Sequence, residues 1–288
     1  MKAKTAGPGS IIDEQNSTFW DELCGSGLAR SLGIRDRNEA SLARFDEAYF
    51  AMYPYLEGYL DRFDLKNRRV LEIGLGYGTL GGAIARRGAI YHGVDISPGP
   101  VAMMRHRLRL TGTPQDDRIV QASAAALPFP DGTFDFVYSI GCLHHTGQLA
   151  ASVDEVHRVL APGGRAVIMV YNARSFRQLI GVGLRSAVRR LLRRSQVTAR
   201  EAAAMYDTDI TGQAAPFTEF VSTSRARHLF RRFDAVEMRL RNFDDIAIRG
   251  RRLLRRDRIL GSPIESLLGL DLYLVARRPP VRVEREGR

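Results

Sequence analysis

Between residues 38 and 63 the apolar positions fall three and four apart: Leu42, Phe45, Tyr49, Met52, Tyr53, Leu56, Tyr59 and Leu60. That spacing predicts a helix with one buried face. Pro54 should kink or divide it, because its ring does not fit a helix interior. Residues 17–32 also read as helical, so 17–63 is expected to form an N-terminal helical cap. The polar stretch before it, 1–16, is expected to be a flexible tail.

From residue 69 the pattern changes to short apolar runs alternating with helical segments. The strands are expected at 69–73, 90–95, 118–122, 134–140 and 165–171, and the helices at 79–87, 98–110 and 148–160. "APGG" at 161–164 breaks the last helix before the fifth strand. Strands joined by helical crossovers imply a parallel, doubly wound sheet. Residues 64–173 are the expected core. A basic helix at 174–195 and a loop then interrupt the rhythm as an insertion over 174–221. The core resumes over 222–279 with a helix at 222–232 and strands at 234–242 and 270–276. Between those strands a second basic helix is expected at about 246–268, and 280–288 is expected to be a tail. The fold class is α/β: a Rossmann-like, doubly wound, seven-stranded, mostly parallel sheet with added helical caps.

Composition narrows the function classes. The 288 residues suit one α/β domain with added segments. No apolar run approaches the ~18–20 residues of a membrane span, and the N-terminus lacks a signal peptide's apolar stretch, so a cytoplasmic enzyme is expected. Cys24 and Cys142 belong to no CxxC pair, which excludes a disulfide framework and gives metal no support. The net charge is +11, almost all from arginine, with lysine only at Lys2, Lys4 and Lys66. Such an excess suits an anionic acceptor, nucleic acid, an acidic carrier or a membrane surface.

The chemistry centres on "VLEIGLGYGTLGGAIARRG" at 70–88. Gly74, Gly76 and Gly78 give G-x-G-x-G, with Thr79 where a dinucleotide site would carry its third glycine. Glu72, at the end of the strand, would repel a pyrophosphate and welcome an ammonium group. S-adenosylmethionine carries an ammonium and a sulfonium and no phosphate. Asp95, ending the second strand in "YHGVDIS", can accept hydrogen bonds from both ribose hydroxyls, and Ile96 would pack on the adenine.

These residues resemble motif I of the class I S-adenosylmethionine-dependent methyltransferases. "LPFPDGTFDFVYSIGCLHHT" (127–146) and "VLAPGGRAVIMVYN" (159–172) resemble further motifs of the family's small-molecule branch, type 11. The resemblance implies S-adenosylmethionine as cofactor, held by Glu72, Gly74, Gly76, Gly78, Asp95, Ile96, Ser123, Ala124 and Ile140. Ser123 stands where the family usually has an acid reaching the adenine.

Methyl transfer to a hydroxyl or amine also requires loss of a proton, for which histidine is a suitable base. His144 and His145, in "SIGCLHHT" after the fourth strand, are the catalytic candidates. Tyr49, Tyr53, Tyr171, Asn172 and Tyr206 are the candidate acceptor-binding residues, and the aromatics before the core, Phe19, Trp20, Tyr49 and Tyr53, are expected to close over cofactor and acceptor. The leading expectation is methyl transfer to an O or N atom of a small metabolite, with secondary metabolism as a setting. A methyltransferase of RNA or of a carrier-bound substrate, and a degenerate fold used only for binding, are the alternatives.

Overall fold

The structure is a computed structural model that describes residues 8–23, 26–112, 116–192, 197–209, 211–248 and 251–281. Four helices come first: α1 (Pro8–Leu23), α2 (Ser26–Ser31), α3 (Glu39–Met52) and α4 (Leu56–Asp61). Pro54 separates α3 from α4, as its ring chemistry predicts. The expected tail is corrected. Helix α1 begins at Pro8, and Asn16 and Phe19 are buried where it crosses the end of the sheet. Its burial is tertiary in origin and leaves little trace in a segment this polar.

The core follows as β1 (Arg69–Ile73), α5 (Thr79–Arg86), β2 (Ile90–Asp95), α6 (Pro98–Leu110), β3 (Ile119–Gln121), β4 (Phe134–Ile140), α7 (Leu149–Val159) and β5 (Leu160–Tyr171). A wide π-helical stretch, Arg177–Leu184, then runs into α8 (Arg185–Leu191), and α9 (Ala199–Ala203) follows. Next come α10 (Thr223–Leu229), β6 (Ala235–Arg241), the hairpin β7 (Ile246–Ile248) and β8 (Arg251–Leu254), α11 (Arg256–Ile259), α12 (Pro263–Leu268) and β9 (Asp271–Arg277). The basic helix expected over 246–268 is therefore a hairpin and two short helices. Alternating isoleucines favour a strand at its start. Ser262 then caps a fresh helix whose first residue is Pro263, which breaks any continuous one. Of the arginines in the first basic segment, Arg193 and Arg194 lie outside the described residues.

The seven main strands form one sheet in the order β3-β2-β1-β4-β5-β9-β6. Strand β9 runs antiparallel to both neighbours, and the other pairings are parallel. Both faces are covered, which is why the strands read as nearly continuous apolar runs. One face carries Leu71, Val137, Ile168 and Leu274 against α7 and α10. The other carries Val70, Tyr138, Val167 and Tyr273 against α4, α5 and α6. Strand order reverses between β1 and β4, and the crevice at a reversal, beyond the carboxyl ends of the strands, is where such sheets take ligands.

Candidate active site

The loop after β1 divides its glycines between two duties. Gly74 has φ +84°, and a Cβ there would stand 2.5 Å from Cys142 Cβ. It lets the β1 and β4 loops touch. Gly76 has φ +51°, and a Cβ there would meet no atom within 4 Å. It is the position that faces open space. Gly78 turns away: it caps α5 and lies against Arg107 and Met104.

Asp95 closes the other side. Its Oδ2 accepts the Leu75 N–H at 2.7 Å and its Oδ1 the Ser97 N–H at 2.9 Å. The Ile96 and Gly76 backbone N–H groups also bond to this carboxylate, which fixes it against the glycine loop. Burial raises its pKa against the pull of these backbone bonds.

Two adjoining cavities, of ≈ 40 and ≈ 190 Å³, share Trp20, Gly74, Asp95, Ile96, Cys142 and His145 as walls. Ser123 and Ala124 line the smaller, Gly76 and Ile140 the larger. Each lies below the roughly 300 Å³ at which ligand pockets usually begin, because Trp20 of α1 leans across the opening onto His145, ring centroids 4.7 Å apart. Asn16 holds α1 there by donating to the His145 carbonyl at 2.7 Å.

Glu72 is not among these walls. Side chains alternate along β1, so Glu72 points with Val70 toward α5, where it accepts a hydrogen bond from the Tyr91 hydroxyl. Gly81 leaves the room, since a Cβ there would collide with both groups. Burial pushes the Glu72 carboxyl up to about 8, although the Tyr91 bond pulls the other way. At neutral pH the group is mostly uncharged. The expected electrostatic guard against pyrophosphate is therefore not set by Glu72.

The adjacent histidines separate. His144 is fully buried, with both ring nitrogens lacking a hydrogen-bond partner, and packs on Tyr171 with centroids 4.2 Å apart. Burial holds its pKa well below the ordinary value, and it lines neither cavity. His145 lines both cavities. Its Nδ1 lies 2.9 Å from the Phe217 carbonyl, which assigns the proton to Nδ1 and leaves Nε2 as an acceptor. Nε2 has no hydrogen-bond partner and lies 3.6 Å from Asp207 Oδ2. Burial lowers the His145 pKa, with Asp207 opposing. The neutral ring and the carboxylate are thus in contact without being an ion pair.

The acceptor candidates scatter. Tyr171 donates to Asp207 Oδ2 at 2.8 Å and stacks on Tyr206, so both stand behind the His145–Asp207 contact. Tyr49 and Tyr53 pair with each other on α3, centroids 5.0 Å apart, away from both cavities. Asn172 is a structural clip: its amide donates to the Gly269 carbonyl and its Oδ1 accepts the Arg174 N–H. Asn16, Cys142 and Asp207 are residues that sequence reasoning left out of the site. Asn16 was hidden by the tail assignment. Asp207 lies in the loop of the 174–221 insertion.

Fold and cleft together define a class I S-adenosylmethionine-dependent methyltransferase core. Residues 71–168 match the family model described as "Methyltransferase domain". It is 31% identical over 153 residues to a malonyl-[acyl-carrier protein] O-methyltransferase of Halorhodospira halophila, covering 51% of each chain. It is 34% identical over 112 residues to a ubiquinone biosynthesis O-methyltransferase of Pseudomonas aeruginosa, covering 39% of this chain and 48% of the relative. The chain thus spans about half the length of the curated relatives it matches. Among solved structures it resembles a chain of the complex between the Haloferax volcanii Trm112 methyltransferase activator and a methyltransferase. The TM-score is 0.58 at 17% identity, over 90% of this chain and 97% of that one. At that identity the likeness concerns the fold alone.

Proposed function

We propose that this chain transfers a methyl group to an oxygen or nitrogen atom of a small acceptor, with His145 as the base that takes the acceptor's proton. The observation that carries the reading is His145, which lines the same cavity as Gly76 and Asp95 and whose buried Nε2 has no hydrogen-bond partner. When bound, S-adenosylmethionine supplies a methyl group already activated on a sulfonium.

The residues present fit that cofactor. Gly76 lines the larger cavity, and its lack of a Cβ leaves that cradle open, with no protein atom within 4 Å of where a Cβ would stand. Asp95 lines both cavities, where a ribose diol would meet its carboxylate, and Ile96, Ser123 and Ala124 form an apolar-to-polar flank for a purine. Positioning supplies much of the acceleration in such a displacement. The remaining need is proton removal. His145 accepts the proton at Nε2, the resulting imidazolium faces Asp207, and the Phe217 carbonyl keeps the ring in the required tautomer. The Tyr171 hydroxyl fixes Asp207. A base suits a hydroxyl or amine acceptor, and the two relatives described above are named as O-methyltransferases.

Calorimetry with S-adenosylmethionine tests the cofactor half. Asp95→Ala should weaken binding by about 10–100-fold, the range for hydrogen bonds to a charged group. Preference for NAD or ATP over the sulfonium compound would overturn the assignment. Turnover of a panel of phenols, alcohols, amines and carboxylic acids tests the other half. His145→Ala should lose about 10²–10⁴ in rate on hydroxyl or amine acceptors while keeping cofactor affinity. A variant as fast as the parent removes the base.

A further inference from the structure

The helix of residues 177–191 is built inside out. Its outward stripe is Ile180, Leu184, Val188 and Leu191, spaced four, four and three apart and exposed at 49%, 57%, 47% and 83%. Leu179 and Leu192 widen it. The less exposed positions are mostly small or polar, Arg177, Gln178, Gly181, Ser186 and Arg189, with Val182 the one aliphatic side chain among them. The helix is strapped down by ion pairs, Arg177 to Asp244 at 2.7 Å and Arg189 to Glu201 at 2.9 Å, and Gly181 lies against Met205. No residue of this helix is buried in the core. Water-exposed aliphatic stripes of this length mark contact surfaces.

Charge selects the occupant. Arg185 and Arg190 are exposed beside the stripe, and no acidic residue occurs between Arg174 and Arg200. An aliphatic stripe edged with arginine matches an anionic lipid surface, where the side chains enter the acyl boundary and the guanidinium groups stay among headgroups. A phosphate backbone would use the arginines and leave the leucines without a partner. Among the described residues no helix is long and apolar enough to cross a membrane, so contact of this kind lies along the surface. We propose that residues 177–191 dock the protein peripherally on an anionic membrane. The helix leaves β5 directly beyond Tyr171, and the Ser175 and Tyr206 hydroxyls bond at 2.9 Å at its root. Docking would therefore hold the Tyr171–Asp207 side of the cleft near the lipid. The proposal does not depend on methyl transfer, because binding is read without turnover.

The test is flotation of the full chain with phosphatidylcholine vesicles, with and without phosphatidylglycerol, at low and high salt. The parent should float with the anionic vesicles at low salt and much less at high salt. Leu184→Glu with Leu191→Glu should lower binding by at least about tenfold, the scale of one buried leucine. Arg185→Ala and Arg190→Ala should each cost about fivefold, on anionic vesicles only. All four positions are exposed. Leu184→Gln with Leu191→Gln replaces the glutamates if native circular dichroism is lost. A parent that stays unbound at low salt overturns the proposal. So does binding that survives the leucine changes but falls with the arginine changes, the signature of a phosphate-only partner such as RNA or of an acidic carrier protein.

Discussion

The two sides of the cleft are made of different material. The side that would hold the nucleoside is built from backbone and strand ends: two glycines with positive φ, the Leu75 and Ser97 amides, and one carboxylate that binds them. The other side is built from side chains contributed by separate segments: Trp20 from α1 and His145 after β4 at the cavities, backed by Asp207 from the loop after α9 and Tyr171 at the end of β5. Backbone sites depend on residues near one another in sequence. Side-chain sites depend on how distant segments are folded back. Changes on the first side should therefore act on folding or cofactor affinity, and changes on the second on the chemical step.

The largest expected effect separates two glycines of the same loop. Gly74→Val places a side chain at a left-handed φ against Cys142, whose Cβ would lie 2.5 Å and Sγ 2.8 Å from the new Cβ. Overpacking costs about 1–3 kcal/mol and the strained φ about 1–3 more, so a large fall in Tm or loss of soluble protein should follow. Gly76→Ala pays only the strain, because its Cβ meets nothing. That variant should fold and yet lose cofactor affinity, since the methyl occupies the cradle. Thermal melts and calorimetry on both variants check this. Equal loss of stability in the two would merge duties that the geometry keeps apart.

On the side-chain side, Asp207→Asn should lower kcat by about 10–100-fold with cofactor affinity unchanged. The neutral amide no longer stabilises the imidazolium at Nε2, and charge stabilisation at this distance ranges from about 1 kcal/mol in water to about 4–5 kcal/mol at a protein-surface dielectric, a range that contains this loss. The pH–rate profile gives the readout that a merely structural role would not move. The ascending limb reports His145, whose pKa Asp207 raises against burial, so the limb should shift to lower pH in the variant. Weakened cofactor binding with an unmoved limb would make Asp207 a structural prop.

Legibility followed the same division. The sheet, its crossovers and the positions of Gly74, Gly76, Asp95, Ile96, Ser123, Ala124 and Ile140 were readable because period, turn chemistry and motif spacing are local. What failed was directional or long-range. Hydrophobic spacing marked 177–191 as amphipathic but could not say that its apolar face turns outward. The polarity of 8–16 concealed a helix that closes the cleft. The adjacent pair His144–His145 offered two bases, and only the Phe217 carbonyl and the Asp207 carboxylate, more than sixty residues away in sequence, distinguish the usable ring.

Glu72 gives the smallest expected effect on function, and the sharpest contrast with the sequence argument. If its carboxylate guarded the cofactor loop, Glu72→Gln would weaken binding strongly at pH 7. The structure instead has it facing Tyr91 with a pKa of about 8. The variant should therefore keep cofactor affinity within about threefold at pH 7, a difference below 1 kcal/mol. Its effect should appear in stability against pH. The folded protein holds this proton up to about 8, while the unfolded chain releases it near the ordinary 4.5. Between those values the folded state binds more protons, so raising the pH costs the parent stability. Glutamine removes that slope. Asp271, whose carboxyl burial raises to about 7, titrates in both proteins, so the difference between their denaturation curves from pH 5 to 8 isolates Glu72. Parallel curves would mean that the carboxyl is charged in the fold, and the guard at the glycine loop would stand after all.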